Sequence, residues 1–204
     1  MKTTLLRSLF LTLALALPAS AEIAKVAGIS FEAPASWKSS PPSSNMRKAQ
    51  FSATDSSGNM AEIVFFHFGL NSGGVQANVD RWMKQFEDPQ DQSTESVKIG
   101  ETNVTYAQAH GTFLSGRPFG PKTPKPGYAL VAAIIEGKEG AVFIKMTGPK
   151  SAVDAHTDGL KKMVKGSLEK QPARHFRKNP PECHEEWLER TPRSKIVASA
   201  HPPQ

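Results

Sequence analysis

The sequence is poor in several features that enzymes and nucleic-acid-binding proteins commonly use. It contains one cysteine, Cys183, so an intrachain disulfide cannot form and stability has to come from a packed core. Cys183 lies in a proline-rich segment, which is a poor setting for a thiol nucleophile that needs a rigid base. No Gly-x-Ser-x-Gly nucleophile motif is present, and aromatic residues make up only 8% of the chain. These absences argue against serine or thiol catalysis and against a base-stacking surface for nucleic acid.

Long apolar runs are also scarce, and the only one lies at the start of the chain. Lys2 and Arg7 accompany an apolar stretch over residues 9–17, and small residues follow at 19–21. This pattern is typical of a cleavable secretory signal, so we expect residues 1–21 to be removed and the protein to be exported, either to a periplasm or to the extracellular space. No later run reaches the roughly 18 residues that span a bilayer, so no integral membrane segment is expected in the mature chain.

Composition divides the chain after the signal into an expected domain and a tail, and its net charge is low. Removing two basic residues with the signal lowers the formal net charge from +6 to +4, which is too weak and scattered to predict nucleic-acid binding. Residues 22–170 have the length of one domain, and we expect a single domain there. Residues 171–204 contain six prolines and few clustered apolar residues, which predicts a disordered tail. The alternative is that Trp187 and Leu188 dock it against the domain or a partner.

Hydrophobic patterning predicts an α+β fold. Alternation over Arg47–Thr54 indicates a strand with one wet face, and the continuous apolar run Ala129–Ile135 indicates a central strand covered on both faces. The remaining strand-like segments follow each other through short turns, apart from a long proline-rich loop predicted over 115–127. We therefore expect a largely antiparallel sheet with helices packed on it.

Two amphipathic helices are predicted to cover the sheet. We expect the first to be capped by Asn71 or Ser72 and to end at Asp88-Pro89. The second is expected to begin at Gly148-Pro149. Their apolar stripes are Val75, Val79, Trp82, Met83 and Phe86 in the first, and Val153, Leu160, Met163, Val164 and Leu168 in the second.

The predicted order is two or three strands, a helix, four strands and a second helix. This order resembles the family that joins the photosystem II extrinsic protein PsbP with the Mog-type Ran-binding nuclear-import factor. The resemblance spans residues 29–168, and the segments 43–47, 68–86 and 145–149 also resemble small exported bacterial proteins of that fold. It implies an α/β/α sandwich with about six or seven strands, and a non-catalytic binding or assembly role. It brings no catalytic residues and no cofactor to this chain. A nuclear-import role conflicts with the secretory signal.

The first helix and the loop before it carry the main candidate ligand site. Gly73 and Gly74 precede the helix, where free backbone N–H groups favour a small anion, although the spacing does not fit a phosphate-cradling loop. Asn78, Arg81 and Gln85 lie on one flank of the apolar stripe and could grip a carboxylate, a sugar or a partner backbone. The alternative is that they tie the helix to neighbouring loops. Arg47 is a further candidate for the same region.

Two other constellations need weighing. His67, His110 and His156 are far apart in sequence without a short-spaced ligand pair, so structural roles are favoured over a zinc site and no metal is expected. The predicted proline-rich loop is basic and stiff, and its residues Arg117, Phe119 and Lys122 are candidates for contact with a partner protein. A solvated connection between strands is the alternative.

The sequence as a whole predicts an exported, soluble, non-catalytic protein that binds a partner protein or a small ligand. Two other hypotheses stay open at this point. One is a secreted hydrolase with an unfamiliar site, and the other is a protein that attaches to an anionic envelope surface through its basic loop and tail. Arg81 is expected to belong to a contact surface, because no histidine or carboxylate stands one turn away on its edge to move protons.

Overall fold

A computed structural model of the chain describes residues 21–116 and 120–170. The predicted signal up to residue 20, Arg117 and Phe119 of the predicted partner loop, and the predicted tail at 171–204 lie outside the described residues. No helix in the described part is long and apolar enough to cross a membrane. The strands are β1 (Ile23–Val26), β2 (Ile29–Glu32), β3 (Lys38–Ser39), β4 (Arg47–Thr54), β5 (Met60–His67), β6 (Gln90–Ile99), β7 (Thr102–Ser115), β8 (Thr123–Ile135) and β9 (Val142–Pro149), and the helices are α1 (Val75–Met83) and α2 (Lys150–Glu169).

Seven of the strands form one antiparallel sheet in the order β3-β4-β5-β9-β8-β7-β6. The chain builds one half of the sheet with β3 to β5, crosses through α1, builds the other half with β6 to β8, and returns as β9 to join the two halves. β1 and β2 form a separate two-stranded sheet. The predicted α+β fold with a largely antiparallel sheet is confirmed.

The face of the sheet that α2 covers is almost wholly apolar. Val153, Leu160 and Val164 of α2 are fully buried against strand residues such as Ile63 and Ile144. The β1–β2 hairpin adds to the same core through Phe31, whose ring packs edge-on against Phe65 with centroids 5.3 Å apart. The twenty residues of α2 and the β1–β2 hairpin therefore cover this face of the sheet together.

The opposite face is covered only in part, because α1 has nine residues. Its Val79 and Trp82 are buried with Phe86 against β7, β8 and β9. Because successive residues of a strand point to opposite faces, Glu62 and Lys145 lie on this side, next to residues that face α2. The part of the face beyond α1 thus carries charged side chains.

The ends of α1 differ from the prediction. The helix begins after Gly74, which is the N-cap residue and makes no side-chain cap, so the expected capping by Asn71 or Ser72 is wrong. It ends at Met83 rather than at Asp88-Pro89, because the chain then pairs with β7 and Phe86 forms a bridge to Phe113. Phe86 is still buried, since the bridge keeps its ring against the sheet.

The expected loop over 115–127 is also partly wrong, because β8 begins at Thr123. Residues Thr123 and Lys125 pair with Ser115 and Phe113 of β7. Prolines are tolerated here because β9 ends opposite Tyr128, so this stretch of β8 is an edge whose outer side needs no N–H donors. The connection that separates β7 from β8 is therefore shorter than predicted.

Trp82 provides a test of the α1 core. It is 7% exposed, and its ring packs edge-on against Phe143 with centroids 6.2 Å apart. Replacing Trp82 by Ala removes this buried surface and leaves a cavity, so we expect a loss of about 3–5 kcal/mol in the free energy of unfolding. Urea denaturation of the variant and the wild type measures it. A much smaller loss would contradict the packing of Trp82, on α1, against β9.

Candidate functional site

Lys145 occupies an unusual position for a lysine, in the middle strand of the large sheet. Its neighbours in the strand pairing are Val64 on β5 and Ala132 on β8, both buried. The ammonium group donates a hydrogen bond to Oε1 of Gln85, just past the end of α1, and lies 5.2 Å from the centre of the Phe113 ring. An amine is thus held against apolar neighbours and one neutral acceptor.

Burial destabilises the charged form of this amine. Desolvation lowers the pKa of Lys145 from 10.5 to about 8; the charge of Glu62 opposes this shift and that of Arg47 adds to it. No carboxylate of the described residues lies within 4 Å of the Lys145 amine. Lys145 therefore lacks the close anionic partner that would compensate for its desolvation.

Arg47 and Glu62 form a polar network beside it, on β4 and β5. Arg47 Nη1 donates to Glu62 Oε1 at 2.6 Å and to Gln50 Oε1 at 3.0 Å, and Gln50 Nε2 donates to Glu62 Oε1 at 3.2 Å. The Arg47 side chain is 24% exposed and that of Glu62 is 46% exposed. We call Arg47, Gln50, Glu62, Gln85 and Lys145 the Lys145 cluster. It holds two cations and one carboxylate.

Asn78 is used inside the protein. It is 4% exposed, and its Nδ2 donates to the carbonyl oxygens of Ser72 and Gly74, both at 3.0 Å. It therefore ties α1 to the preceding loop, which is the structural alternative considered from the sequence. Gly73 adopts a left-handed backbone (φ +79°), and a Cβ there would lie 3.5 Å from Asn78 Nδ2. Gly73 and Gly74 thus shape the loop that Asn78 holds.

Arg81 lies in the last turn of α1. It is exposed, and its Nη1 donates to Asn78 Oδ1 at 2.9 Å. Arg81 precedes Gln85 by four residues, and such residues lie on the same side of a helical segment. Of the site residues predicted from the sequence, Gln85 contacts Lys145 directly and Arg47 lies close enough for its charge to lower the pKa of Lys145. Arg81 contacts Asn78 instead.

The three histidines have separate structural partners. Nδ1 of His67 lies 3.2 Å from the carbonyl oxygen of Ala141, and Nε2 of His156 lies 3.2 Å from that of Thr54. His110 lies 3.5 Å from Asp91. Within residues 21–116 and 120–170, no three potential ligands are grouped so that they could hold a metal ion.

The predicted partner loop is described only in part. Lys122 is exposed, whereas Arg117 and Phe119 lie outside the described residues. Contact of this loop with a partner stays a prediction.

A second concave surface lies on the other side of the sheet, between α2 and strands β7 and β8. This groove of about 300 Å³ is lined by Gln108, His110 and Lys150, among others. Its charges are partly compensated internally, since Asp91 lies near His110 and Asp154 accepts from Lys150 Nζ at 2.6 Å. A ligand there would compete with pairs that already exist, which makes the Lys145 cluster the stronger candidate site.

Lys145 and Glu62 were missed as site residues from the sequence. Each interrupts an apolar strand segment, Lys145 within Val142–Met146 and Glu62 within Ala61–Phe66. A single charge inside a strand predicted to lie deep in the sheet is a usable signal, because such a charge has to be paired or face a gap in the core.

Comparison with known proteins finds a likeness to solved structures. No family model matches the chain, and no curated protein matches its sequence. Among solved structures it aligns with the solution structure of cyanobacterial PsbP (CyanoP) from Synechocystis sp. PCC 6803, at 12% sequence identity and a TM-score of 0.49. This chain is similar to cyanobacterial PsbP. The alignment covers 78% of this chain and 96% of the PsbP chain. The resemblance to the Mog-type factor and to exported bacterial proteins stays a prediction.

The lowered pKa of Lys145 predicts an unusual pH dependence of stability. The unfolded chain holds the Lys145 proton up to about pH 10.5 and the folded chain only to about pH 8, so the unfolded state binds more protons between these values. We therefore expect the free energy of unfolding to rise by about 1–3 kcal/mol between pH 7 and 10, relative to a Lys145→Met variant. Urea denaturation across this range measures the difference.

The pH window closes near pH 10 for a separate reason. Burial, aided by the charge of Glu95, raises the pKa of Tyr106 to about 12, so stability falls as the unfolded phenol ionises above about pH 10. If the wild type and Lys145→Met instead gave parallel pH profiles, the lowered pKa of Lys145 would be contradicted.

Proposed function

We propose that this is an exported, non-catalytic binding protein that recognises an anionic group of a partner protein or small ligand at the Lys145 cluster. The observation that carries the proposal is the half-buried amine of Lys145, which has a neutral hydrogen-bond acceptor and no close carboxylate among the described residues. The predicted secretory signal supports the export part of the proposal.

The charge balance favours an anion over a cation. Glu62 is the carboxylate of the cluster, and it already accepts from Arg47 at 2.6 Å. One positive charge therefore remains uncompensated in a setting where the effective dielectric is lower than in water, so electrostatic attraction is stronger there than at the open surface. A carboxylate that approached Lys145 would recover part of the solvation that burial removed.

The neighbouring side chains suit recognition of a carboxylate. The amide of Gln85 places its Oε1 on the lysine, which leaves its Nε2 as a donor for a ligand oxygen. Arg47 is only partly buried, and the exposed guanidinium of Arg81, four residues before Gln85, is a further candidate donor. Because Glu62 is held by Arg47 and Gln50, the cluster offers donors to a ligand rather than a free acid–base pair, which supports a binding role.

The anion site can be tested with citrate and acetate as probes. We expect citrate to shift amide resonances of β9 and of the α1 end in NMR spectra at low salt, and acetate to do so more weakly because it has one carboxylate. Lys145→Met should weaken citrate binding by about 10-fold or more, since a charge-assisted hydrogen bond is lost. Lys162→Met, which removes an exposed lysine of α2, is the matched control and should bind like the wild type. Equal binding by Lys145→Met would overturn the proposal.

Arg81, in the last turn of α1, allows a second test of the proposal. We expect Arg81→Ala to keep its fold, because the arginine is exposed and Asn78 holds the loop through its own amide. Citrate affinity should fall by about 1–3 kcal/mol if a charged hydrogen bond is lost. Thermal unfolding and the same NMR titration check both parts. An unfolded variant would show that Arg81 is structural.

A further inference from the structure

We propose that Lys145 also binds carbonyl compounds covalently, as an imine formed between its Nζ and a small aldehyde. The inference uses the side chain of the proposed anion site but a different chemistry, so either can fail without the other.

The surroundings of Lys145 distinguish it from other lysines of the described chain. Lys150 and Lys170 are exposed and donate to carboxylates at 2.6 Å, in pairs with Asp154 and Glu32. Lys145 instead has the Gln85 oxygen and the Phe113 ring as its contacts. A carboxylate partner stabilises the ammonium form, whereas an apolar, neutral environment with a second cation nearby favours the free amine that acts as a nucleophile. Arg47 supplies that cation, but the charge of Glu62 has the larger, opposite effect, so burial without a carboxylate in contact is what favours the free amine of Lys145.

The protonation state agrees with this geometry. With a pKa of about 8, roughly half of Lys145 is neutral at pH 8, whereas a lysine with the ordinary value is neutral at well under 1%. A lone pair is therefore available at Nζ near neutral pH.

The reaction balances without an oxidant or reductant. The Nζ lone pair attacks the carbonyl carbon, a C–N bond forms, and the C=O π bond opens to a carbinolamine. One Nζ proton moves to the oxygen as the carbinolamine forms. The hydroxyl group then leaves with a proton from solvent as water, which gives the iminium, and loss of the remaining N–H proton to solvent gives the neutral imine. The Gln85 oxygen accepts a hydrogen bond from the nitrogen for as long as it carries hydrogen.

The inference is tested by trapping the imine. The full-length protein is treated at pH 8 with limiting glycolaldehyde, a neutral aldehyde, and with sodium cyanoborohydride, which reduces the imine to a stable secondary amine. Digestion with a protease that does not cut at lysine, followed by mass spectrometry, gives the modified fraction at each lysine. We expect Lys145 to be labelled about 10-fold faster than the exposed Lys162, because more of it is neutral although each neutral amine is somewhat less nucleophilic.

Two variants and a second probe sharpen the test. Lys145→Met should lose this fast-labelling position, and Lys162→Met should retain it. Glyoxylate, which carries both an aldehyde and a carboxylate, should label Lys145 faster than glycolaldehyde does if the anion site exists. Fast glycolaldehyde labelling in a protein that does not bind citrate would support the imine and overturn the anion site. Labelling of wild-type Lys145 no faster than Lys162 would overturn the imine, whatever the variants do.

Discussion

The unequal covering of the two sheet faces is the constraint on which the rest of the structure depends. Seven strands spaced about 4.8 Å apart make a sheet about 29 Å wide. On one face, the twenty residues of α2 extend about 30 Å and the β1–β2 hairpin fills what the helix leaves. On the other face, the nine residues of α1 extend about 13 Å. One helix of that length cannot close the second face, so part of it must be made from side chains that tolerate water.

A strip of polar side chains, formed by Gln50, Glu62 and Lys145, follows from this incomplete covering of the second sheet face. Gln50, Glu62 and Lys145 occupy positions on three adjacent strands where α1 does not reach. Their neighbours one residue along each strand point into the closed core and are apolar. The strip is only half solvated, so its charges interact more strongly than charges at an open surface. Arg47 and Glu62 compensate each other's charge. Lys145 has no such partner in contact, and its burial therefore lowers the pKa of its amine.

The same geometry separates structural from functional polar groups along α1. Asn78 faces the loop before the helix and satisfies two of its carbonyl groups, so its amide is committed to the fold. Gln85, two turns later, reaches over the strip and contacts Lys145. Residues that were grouped by helical spacing thus have different uses, because one end of α1 rests on its own loop and the other end rests on the edge of the uncovered face.

The sequence by itself determined the local elements and their buried stripes. The alternation in β4, the apolar run of β8 and the stripe of α2 were readable because each depends on the period of one element. Only the tertiary structure decided where α1 starts and ends, that residues around Pro124 extend β8, and that Lys145 meets Gln85 sixty residues away. These features depend on strand order and on how far a helix reaches across the sheet, and no local pattern encodes either. The charge inside β9 was visible in the sequence, but its neighbours were not.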